Sequence, residues 1–560
     1  MHKLKFISII ITISIFMTSC SIYGEYKNEE EQKNQKISAE NDYDVMDQGP
    51  VKGGVLKLFS TKPDILNPIL TNNLYVHSFL GLVFEGMVKL GKDQRPVSAL
   101  ADRWEVSPDG LVWTFHIREN AMWHNNMPVT ADDVKFTLET IQNSKINNIY
   151  KKNTQNISLF TAVDKNNFKI FLRKPNSFTA ETMTFPIIPR HYFMGEDVTK
   201  LDARGNTEPV GTGPYKFVKS NDPNIIKLIE NNKWWGLEEK EDSNESNSPY
   251  IGEIDVRIYG SGKDEINALQ INDIDVAFIQ SGDFGKYSGR PDLSLRKFIS
   301  KNYEFIAYNL ENPILSDKLV RQAIAYAIDR SKIINDYLAG QAVVSEIPVM
   351  PNTWLYDTSI ITYNSNKAKA KEMLIQGGWE EDEGGLFKTI KGVKRYLNLE
   401  LMVNDYNINR SKIADEISAQ LKEIGINLSI RKIKWEDEFK QIRSKRYDMV
   451  LLGYRVSSVP DISFAYSSAE ASGGFNISGY KNTTVDRLLE QIGTESDENR
   501  RKLLFTQMKG IIMDDMPYLG LFFYNNAALF SKRVKGEISP SIWDRFNGIS
   551  EWYIANTHKK

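Results

Sequence analysis

Apolar and polar residues alternate along the chain in short stretches that predict a mixture of strands and amphipathic helices. Every second residue in 111–117 is apolar, the period of two that marks a half-buried strand. Apolar residues within 134–141 instead recur at helical spacing, at i, i+4 and i+7. Thr130 and Asp133 stand where the capping box of such a helix belongs, so we expect this helix to begin just after Thr130.

The second half of the chain repeats the helical spacing and adds a strand pattern. Residues 319–328, 413–424 and 503–512 all carry apolar side chains at helical intervals. The glycines that we predict to end helices are Gly340, Gly377 and Gly425. After the last of them, alternate residues of 426–430 are apolar, which predicts a strand. A helix followed by a strand in this way is typical of an α/β sheet.

Length and charge limit the kind of protein that this chain can be. Domains commonly span about 100 to 200 residues, so a chain of 560 residues is expected to form at least two lobes. Hydrophobic residues make up 41% and charged residues 25%, which is ordinary for a water-soluble body and too polar for a multi-span membrane protein. The net charge is -2, so no basic excess exists to bind a phosphate backbone, and we expect no nucleic-acid partner.

The N-terminus carries the strongest local signal. Residues 6–17 form an apolar run behind a short basic stretch. This run is too short to cross a bilayer, which takes about 20 apolar residues, so we predict a signal peptide at 1–19. Cys20 is the only cysteine of the chain, which excludes internal disulfides and CxxC sites. Residues 17–20 resemble a bacterial lipobox, so Cys20 is expected to be acylated and to anchor the protein to the membrane.

Two polar stretches are predicted to lie outside the packed body. Residues 20–52 are rich in Glu, Lys, Asn and Gln, with too few apolar side chains to compensate the entropy of ordering. We predict that they form a flexible tether between the lipidated cysteine and the body. Residues 236–249 are polar and strongly charged, which favours a solvated surface loop.

Motifs that would indicate an enzyme are incomplete in this chain. Residues 260–263 resemble part of a phosphate-binding loop, but Arg257 stands at its first glycine position and Asp264 follows its lysine. Two SxxK pairs, at 294–297 and 429–432, lack the partner motifs of the serine enzymes that use this pair. The six histidines include no HExxH and are scattered along the chain. We therefore predict no catalytic site, no metal site and no cofactor.

A series of short motifs extends over nearly the whole chain beyond the tether. They are LADRWEVSPDG at 100–110, WTFHIR at 113–118, WH at 123–124, ADDV at 131–134, GTGPY at 211–215, WWG at 234–236, IDVA at 274–277, YN at 308–309, DKLVRQA at 317–323, AYAIDR at 325–330, GW at 378–379, LKEIGI at 421–426 and YKN at 480–482. In this order the motifs resemble the bacterial extracellular solute-binding proteins of family 5, the peptide-binding type. An ordered set is far more specific than any one motif.

The resemblance implies a fold and a division of the chain. The fold would be α/β, two-lobed and periplasmic-binding-protein-like (type II, cluster C), with a hinge and a ligand cleft between the lobes. Lobe I, with an extra subdomain, would comprise 53–300, lobe II 301–528, and 529–560 would return to lobe I. Ligand would bind in the cleft, and simultaneous contacts to both lobes would drive closure.

The function implied by the resemblance is capture of oligopeptides by a lipoprotein at the outer face of the cell membrane. The protein would act as a monomer and deliver its ligand to the permease and ATPase subunits of an ABC importer. Two alternatives stay open. The same fold could bind a non-peptide solute such as a nickel chelate, because fold does not fix function. The protein could also be a surface hydrolase or an adhesin, although the absence of a nucleophile and base pair disfavours a hydrolase.

The resemblance also implies ligand-binding residues. Residues 449–456 correspond to the family strand that runs beside the peptide. Many relatives carry an acidic residue soon after its glycine to hold the peptide's α-ammonium, but Tyr454 and Arg455 follow Gly453 here. Asp461 could replace this anchor or could only begin a turn, and Arg455 could meet a carboxylate. The other candidate contacts are Trp354, Tyr356, Trp435 and Asn309.

Overall fold

The described part of the chain covers the body of the protein. The computed structural model describes residues 43–47, 49–143, 145–237, 249–358 and 363–559. The predicted signal peptide, Cys20 and most of the predicted tether lie outside these residues, as does most of the charged stretch 236–249. Within the described ranges, no helix combines the length and the apolar content that crossing a membrane would require.

The described residues form strands and helices that alternate along the chain. The strands are β1 (Tyr43–Met46), β2 (Val55–Thr61), β3 (Val88–Leu90), β4 (Pro96–Ser98), β5 (Ala101–Val106), β6 (Val112–Ile117), β7 (Ile157–Ala162), β8 (Asn167–Leu172), β9 (Tyr215–Val218), β10 (Ile225–Glu230), β11 (Glu253–Tyr259), β12 (Val276–Gln280), β13 (Leu293–Tyr308), β14 (Ala342–Val344), β15 (Glu380–Asp382), β16 (Gly385–Ile390), β17 (Val393–Tyr396), β18 (Asn398–Asn404), β19 (Asn427–Ile433), β20 (Met449–Arg455), β21 (Tyr518–Ser531), β22 (Val534–Lys535), β23 (Tyr553–Ile554) and β24 (Asn556–Lys559). The α-helices are α1 (Leu74–Leu80), α2 (Ala131–Gln142), α3 (Thr179–Thr182), α4 (Arg204–Thr207), α5 (Glu265–Gln270), α6 (Phe284–Tyr287), α7 (Lys318–Ala327), α8 (Arg330–Leu338), α9 (Lys367–Gln376), α10 (Ile408–Lys422), α11 (Trp435–Arg443), α12 (Ser463–Tyr466), α13 (Thr483–Thr494) and α14 (Glu498–Asp515).

Lobe I is the body built around two four-stranded sheets. One has the order β2-β11-β10-β9, with β2 parallel to β11, and the other has the order β5-β6-β8-β7. Trp113 and Phe115 of β6 are buried in the core of this lobe. Phe530 and Trp552, from the end of the chain, lie in the same core. The C-terminal residues therefore complete lobe I.

Lobe II is built around the seven-stranded sheet. The strand order is β12-β21-β13-β20-β18-β19, with β14 paired to β21. Side chains of a strand point alternately to its two faces, and both faces of this sheet are buried. Ile306 and Tyr308 lie in one apolar core, while Phe305 and Ala307 lie in the other. Both β19 and β20 run parallel to β18, as the predicted α/β order requires.

Two long strands, β13 and β21, connect the lobes. They have 16 and 14 residues and pair antiparallel. Their pairing changes register between Ile299 and Tyr303. On one side of this point, Ala527 and Leu529 of β21 pack in a small apolar cluster with Phe59 of β2. On the other side, Tyr303 packs in the core of lobe II, so the strands pass from one lobe to the other at the register shift.

The local predictions agree with most of these elements. The predicted strand at 111–117 is β6, and α2 begins with the expected capping box of Thr130 and Asp133. Gly340 and Gly425 have positive φ angles of 71° and 85°, as glycines that end helices commonly do. The prediction that Gly377 is the glycine that ends a helix was wrong by one residue. Gly377 keeps a helical φ of -71°, and the positive φ of 76° belongs to Gly378.

The ordered chain begins before residue 53, where the predicted tether ends. Residues Tyr43–Met46 form β1 and pair antiparallel with β24. Tyr553 Oη donates a hydrogen bond of 2.7 Å to Asp47 Oδ1 just beyond this pair. Strand pairing with the C-terminus therefore satisfies backbone groups in a segment whose composition alone predicts disorder.

Candidate functional site

The cleft between the lobes has a floor built from three distant segments. The first is the hinge segment, which we define as residues 300–302 at the register shift of β13. The second is the end of β20, where Val456 N donates a hydrogen bond of 2.9 Å to the Lys301 carbonyl. The third is the C-terminal return in lobe I, where the Trp543 ring centre lies 4.1 Å from Lys301 Nζ. The two lobes and the hinge therefore meet at Lys301.

Cationic side chains gather at this floor. Burial, together with the positive charges of Arg455 and Arg545, lowers the pKa of Lys301 to about 8. The Arg545 guanidinium lies 4.5 Å over the Phe278 ring. Burial lowers the pKa of His77 to about 4, with Lys301 and Arg545 as further causes, so its imidazole is neutral at physiological pH. These side chains form a recess with a positive potential.

Gly453 of β20 lies against a buried ion pair that leaves little room for a side chain. Arg410 Nε and Nη2 donate hydrogen bonds of 2.8 and 2.9 Å to the two oxygens of Glu304. A Cβ atom on Gly453 would lie 2.6 Å from Arg410 Nη2 and 2.8 Å from Glu304 Oε1. Burial also raises the pKa of the neighbouring Glu438 to about 7. Glycine at this position leaves room for the ion pair, and its contact with ligand stays a prediction.

Tyr454 and Arg455 point to opposite faces of β20, as successive residues of a strand do. The Tyr454 ring stacks on Phe305 with 4.3 Å between ring centres, and its hydroxyl donates a hydrogen bond of 2.9 Å to the Phe475 carbonyl. Tyr454 therefore packs against the core of lobe II. Arg455 is exposed and pairs in register with Asn302 of the hinge segment, and its contact with ligand stays a prediction.

Asp461 lies in the turn that precedes α12. Its Oδ1 accepts a hydrogen bond of 2.8 Å from Ser463 N, and its side chain is exposed. An aspartate that binds the backbone two residues ahead is a turn-forming device. The geometry favours the turn role over an ammonium anchor, and a direct ligand contact by Asp461 stays a prediction.

Trp354 lies where the lobes touch beside the cleft. Its backbone N donates a hydrogen bond of 3.0 Å to the Asp93 carbonyl of lobe I. The guanidinium groups of Arg95 and Arg501 lie 5.5 and 4.8 Å from the centre of its buried ring. Two arginines from different lobes thus enclose this side chain, which leaves it little surface for a ligand.

Tyr356 and Trp435 both make contacts within lobe II. The Tyr356 hydroxyl donates a hydrogen bond to Glu346, and Lys509 Nζ lies 4.2 Å from the centre of the Tyr356 ring. Trp435 begins α11 and packs edge-on against Phe439, with 4.9 Å between ring centres.

Asn309 directly follows β13 at the end remote from the hinge segment. It is buried, and Nδ2 donates hydrogen bonds of 3.1 and 2.9 Å to the carbonyls of Lys445 and Tyr447. Its position along the strand puts it roughly 25 Å from Lys301, at about 3.3 Å per residue. Asn309 borders a polar surface cavity of about 450 Å³ away from the cleft, so its geometry does not favour the predicted ligand contact.

A second contact between the lobes was not predicted from the sequence. Ser177 N donates a hydrogen bond of 2.7 Å to the Gly493 carbonyl, and Ser177 Oγ donates one of 2.7 Å to the Ile492 carbonyl. Arg501 Nη1 donates a hydrogen bond of 2.7 Å to the Ser177 carbonyl. Burial raises the pKa of the nearby Glu181 to about 7, against the lowering effect of the Arg501 charge. No local pattern marks residues that are so far apart in the sequence.

Two of the sequence motifs have structural roles. In the WWG motif, the indole N–H groups of Trp234 and Trp235 donate hydrogen bonds of 3.0 and 2.8 Å to the Glu85 carboxylate. The second is the DKLVRQA motif at 317–323, which includes Arg321. Arg321 is buried and donates to backbone carbonyls, including those of residues 315 and 516, because the end of α14 packs over it.

Metal-binding side chains are not grouped in the part of the chain that the structure describes. No set of three or more His, Cys, Asp and Glu residues there is arranged to hold a metal ion.

Relatives in other bacteria match the chain over almost its whole length. The oligopeptide-binding protein AppA of Bacillus subtilis (strain 168) is 24% identical over 99% of this chain and 98% of its own length. A dipeptide-binding protein of Escherichia coli (strain K12) is 25% identical over 79% of this chain and 83% of its own length.

Solved structures share the fold. The murein tripeptide-binding protein MppA in its unliganded open form has a TM-score of 0.76 at 19% identity, covering 92% of this chain and 99% of that one. B. subtilis AppA with a nonapeptide has a TM-score of 0.57 at 24% identity, covering 91% and 100%. NikZ of Campylobacter jejuni with Ni(L-His) has a TM-score of 0.60 at 22% identity, covering 89% and 99%.

The family is established by a match to a family model over more than half of the chain. The model of the bacterial extracellular solute-binding proteins, family 5 Middle, matches residues 95–476, which include the hinge segment and β20. The two-lobed α/β fold agrees with this match. The chain belongs to the bacterial extracellular solute-binding proteins of family 5.

Proposed function

We propose that the protein captures oligopeptides in the cleft between its lobes and delivers them to the permease of an ABC importer. The observation that carries this proposal is the correspondence with an oligopeptide-binding protein over 99% of the chain. Curated relatives from Brucella, 26% identical over 60% of the chain, are also described as ABC transporter peptide-binding proteins. Extended peptides can bind through main-chain hydrogen bonds, which tolerate many sequences. The protein would act as a monomer that binds its ligand without transforming it.

We also propose that the protein is held at the outer face of the cell membrane. Signal cleavage before Cys20 would expose this cysteine for acylation, and more than one acyl chain gives stable anchoring. The chain between Cys20 and β1 would then serve as the tether. This arrangement would keep the cleft close to the permease while leaving the body free to reorient.

The hinge of the proposed receptor would consist of β13 and β21. We place the first crossing at residues 300–302, where β13 and β21 change register, next to the proposed boundary between 53–300 and 301–528. The second crossing falls a few residues before 529, because Ala527 already packs in a cluster with Phe59 of lobe I. Two adjacent strands can twist together, so closure needs only small changes of backbone angles in a few residues.

Calorimetric titration of the purified protein tests the proposal. We expect a pool of oligopeptides of mixed sequence to bind, and labelled peptide to remain intact after prolonged incubation. Nickel–histidine is the matched probe for a non-peptide solute. Binding of nickel–histidine without binding of peptides would transfer the function to another solute class, and hydrolysis of the label would indicate an enzyme.

A further inference from the structure

Lys301 carries a charge at the cleft floor without a counter-ion. Within the described ranges, its Nζ forms no hydrogen bond or ion pair, and its one close polar contact is the Trp543 ring at 4.1 Å. The charges that act on it are those of Arg455 and Arg545. Lys301 is only half-buried, so a solute in the cleft can reach it. A partly desolvated ammonium that faces two other cations is stabilised by an anion.

Arg455 and Arg545 approach Lys301 from opposite lobes. Arg455 ends β20 in lobe II and is exposed, and Arg545 lies in the C-terminal return of lobe I and is half-buried. Among the described residues, neither guanidinium makes an ion pair within 4 Å. The buried Arg410, by contrast, is paired by the Glu304 side chain. The cluster is therefore open to an external partner on both sides of the cleft.

Few acidic groups face this cluster. Glu265 acts on Arg545, but it is buried and accepts hydrogen bonds of 2.8 Å from Phe278 N and 3.2 Å from the Tyr75 hydroxyl. His77 is neutral and lies 2.5 Å from the Tyr150 hydroxyl. Glu265, the carboxylate that acts on Arg545, is therefore already engaged by the protein.

We propose that Lys301, Arg455 and Arg545 form an anion subsite that binds a carboxylate of the peptide and makes the receptor selective for acidic peptides. This inference rests on the proposed peptide-binding function and names its substrate class. The carboxylate is either a glutamate or aspartate side chain or the peptide's C-terminus. A carboxylate held by Arg455 of lobe II and Arg545 of lobe I contacts both lobes, so its binding favours the closed form.

Titration with four matched pentapeptide pools tests the subsite. The pools contain either one glutamate or one glutamine, each with a free or an amidated C-terminus. We expect the pool richest in carboxylates to bind about tenfold or more tightly than the glutamine amide pool, because charge pairs desolvated in an interface contribute strongly. If amidation abolishes the preference, the carboxylate that binds the subsite is the peptide's C-terminus. If the exchange of glutamate for glutamine abolishes it, the carboxylate is the glutamate side chain.

Variants of Lys301 and Arg455 test whether these residues cause the preference for acidic peptides. Lys301→Met should reduce the preference for the glutamate pools over the glutamine pools to about threefold or less. Arg455→Gln serves as a second variant at an exposed position, where folding is not at risk. Lys297→Met is the control, because Lys297 is an exposed lysine on the same strand.

The preference should also depend on pH in a way that a structural role would not produce. Because the pKa of Lys301 is lowered to about 8, its positive charge is present below this pH and is lost above it. The groups that face Lys301 are Arg455 of β20, Arg545 of the C-terminal return and His77 of α1. Between pH 7 and 9.5 the imidazole of His77 stays neutral, because its pKa is lowered to about 4, and arginine side chains in general stay protonated. The ratio of affinities for the glutamate and glutamine pools should fall over this range in the wild type and stay flat in Lys301→Met.

The outcomes separate this inference from the proposed function. Equal affinity of all four pools would overturn the anion subsite while leaving peptide capture intact. A preference that survives in both Lys301→Met and Arg455→Gln would also overturn it. Failure of every pool to bind would contradict the proposed function itself.

Discussion

Replacing Arg410 by methionine is expected to lower the free energy of unfolding by about 3 to 5 kcal/mol, because removal of one partner leaves a buried charge uncompensated. Arg410 forms a bidentate pair with Glu304 in which both side chains are largely shielded, at 13% and 6% exposure. The Glu304 carboxylate would then lie next to Glu438 without its cation. Urea unfolding followed by circular dichroism measures the loss.

An exposed pair of the same chemistry provides the control. Arg290 donates hydrogen bonds of 3.0 and 2.5 Å to the two oxygens of Asp292 in a solvent-exposed position. Arg290→Met is expected to change the free energy of unfolding by about 1 kcal/mol or less. The double variant Glu304→Gln, Arg410→Met should recover part of the lost stability. Equal effects of Arg410→Met and Arg290→Met would show that burial of the Glu304 pair does not matter.

Replacing Cys20 by alanine is expected to transfer nearly all of the protein from the membrane fraction to the soluble fraction. Each buried methylene of an acyl chain contributes about 0.8 kcal/mol to membrane binding, and the variant has no thiol to acylate. Fractionation of producing cells followed by immunoblotting measures the transfer. Ser21→Ala is the matched control and should stay with the membrane. Sedimentation of Cys20→Ala with the membrane would contradict anchoring through this residue.

Features set by neighbouring residues were predictable from the sequence. The capping box of Thr130 and Asp133 involves residues three positions apart, and it forms at the start of α2 as expected. Asn126 adopts a positive φ of 65°, a conformation that asparagine tolerates in tight turns. The alternation in 111–117 appears as β6. In each case the physical cause lies within a few residues of the pattern.

Features set by residues distant in the sequence were not predictable in this way. Ser177 binds Ile492 across 315 positions, and nothing near either residue indicates the contact. Arg321 stands four residues after Asp317, the spacing of an ion pair on a helix surface, but its guanidinium binds carbonyls near the end of α14. A single sequence contains the residues of such contacts without indicating which of them meet.

The candidate site likewise combines features that the sequence indicated with features that depend on distant residues. The resemblance indicated β20, and Arg455 on this strand pairs with Asn302 of the hinge segment, while its contact with ligand stays a prediction. Lys301 and Arg545 were not predicted, because their proximity depends on the hinge and on the return of the C-terminus to lobe I. The ring of Tyr454, another candidate ligand contact, stacks on Phe305, and its contact with ligand also stays a prediction.

Native mass spectrometry of the Cys20→Ala protein, purified from its producing cells, shows directly whether the cleft captures peptides. A closed cleft must open to release its ligand, so bound ligand can persist through purification. We predict a series of bound masses that match short peptides, enriched in acidic sequences. A single bound mass that matches no peptide would contradict the account and assign the cleft to another solute.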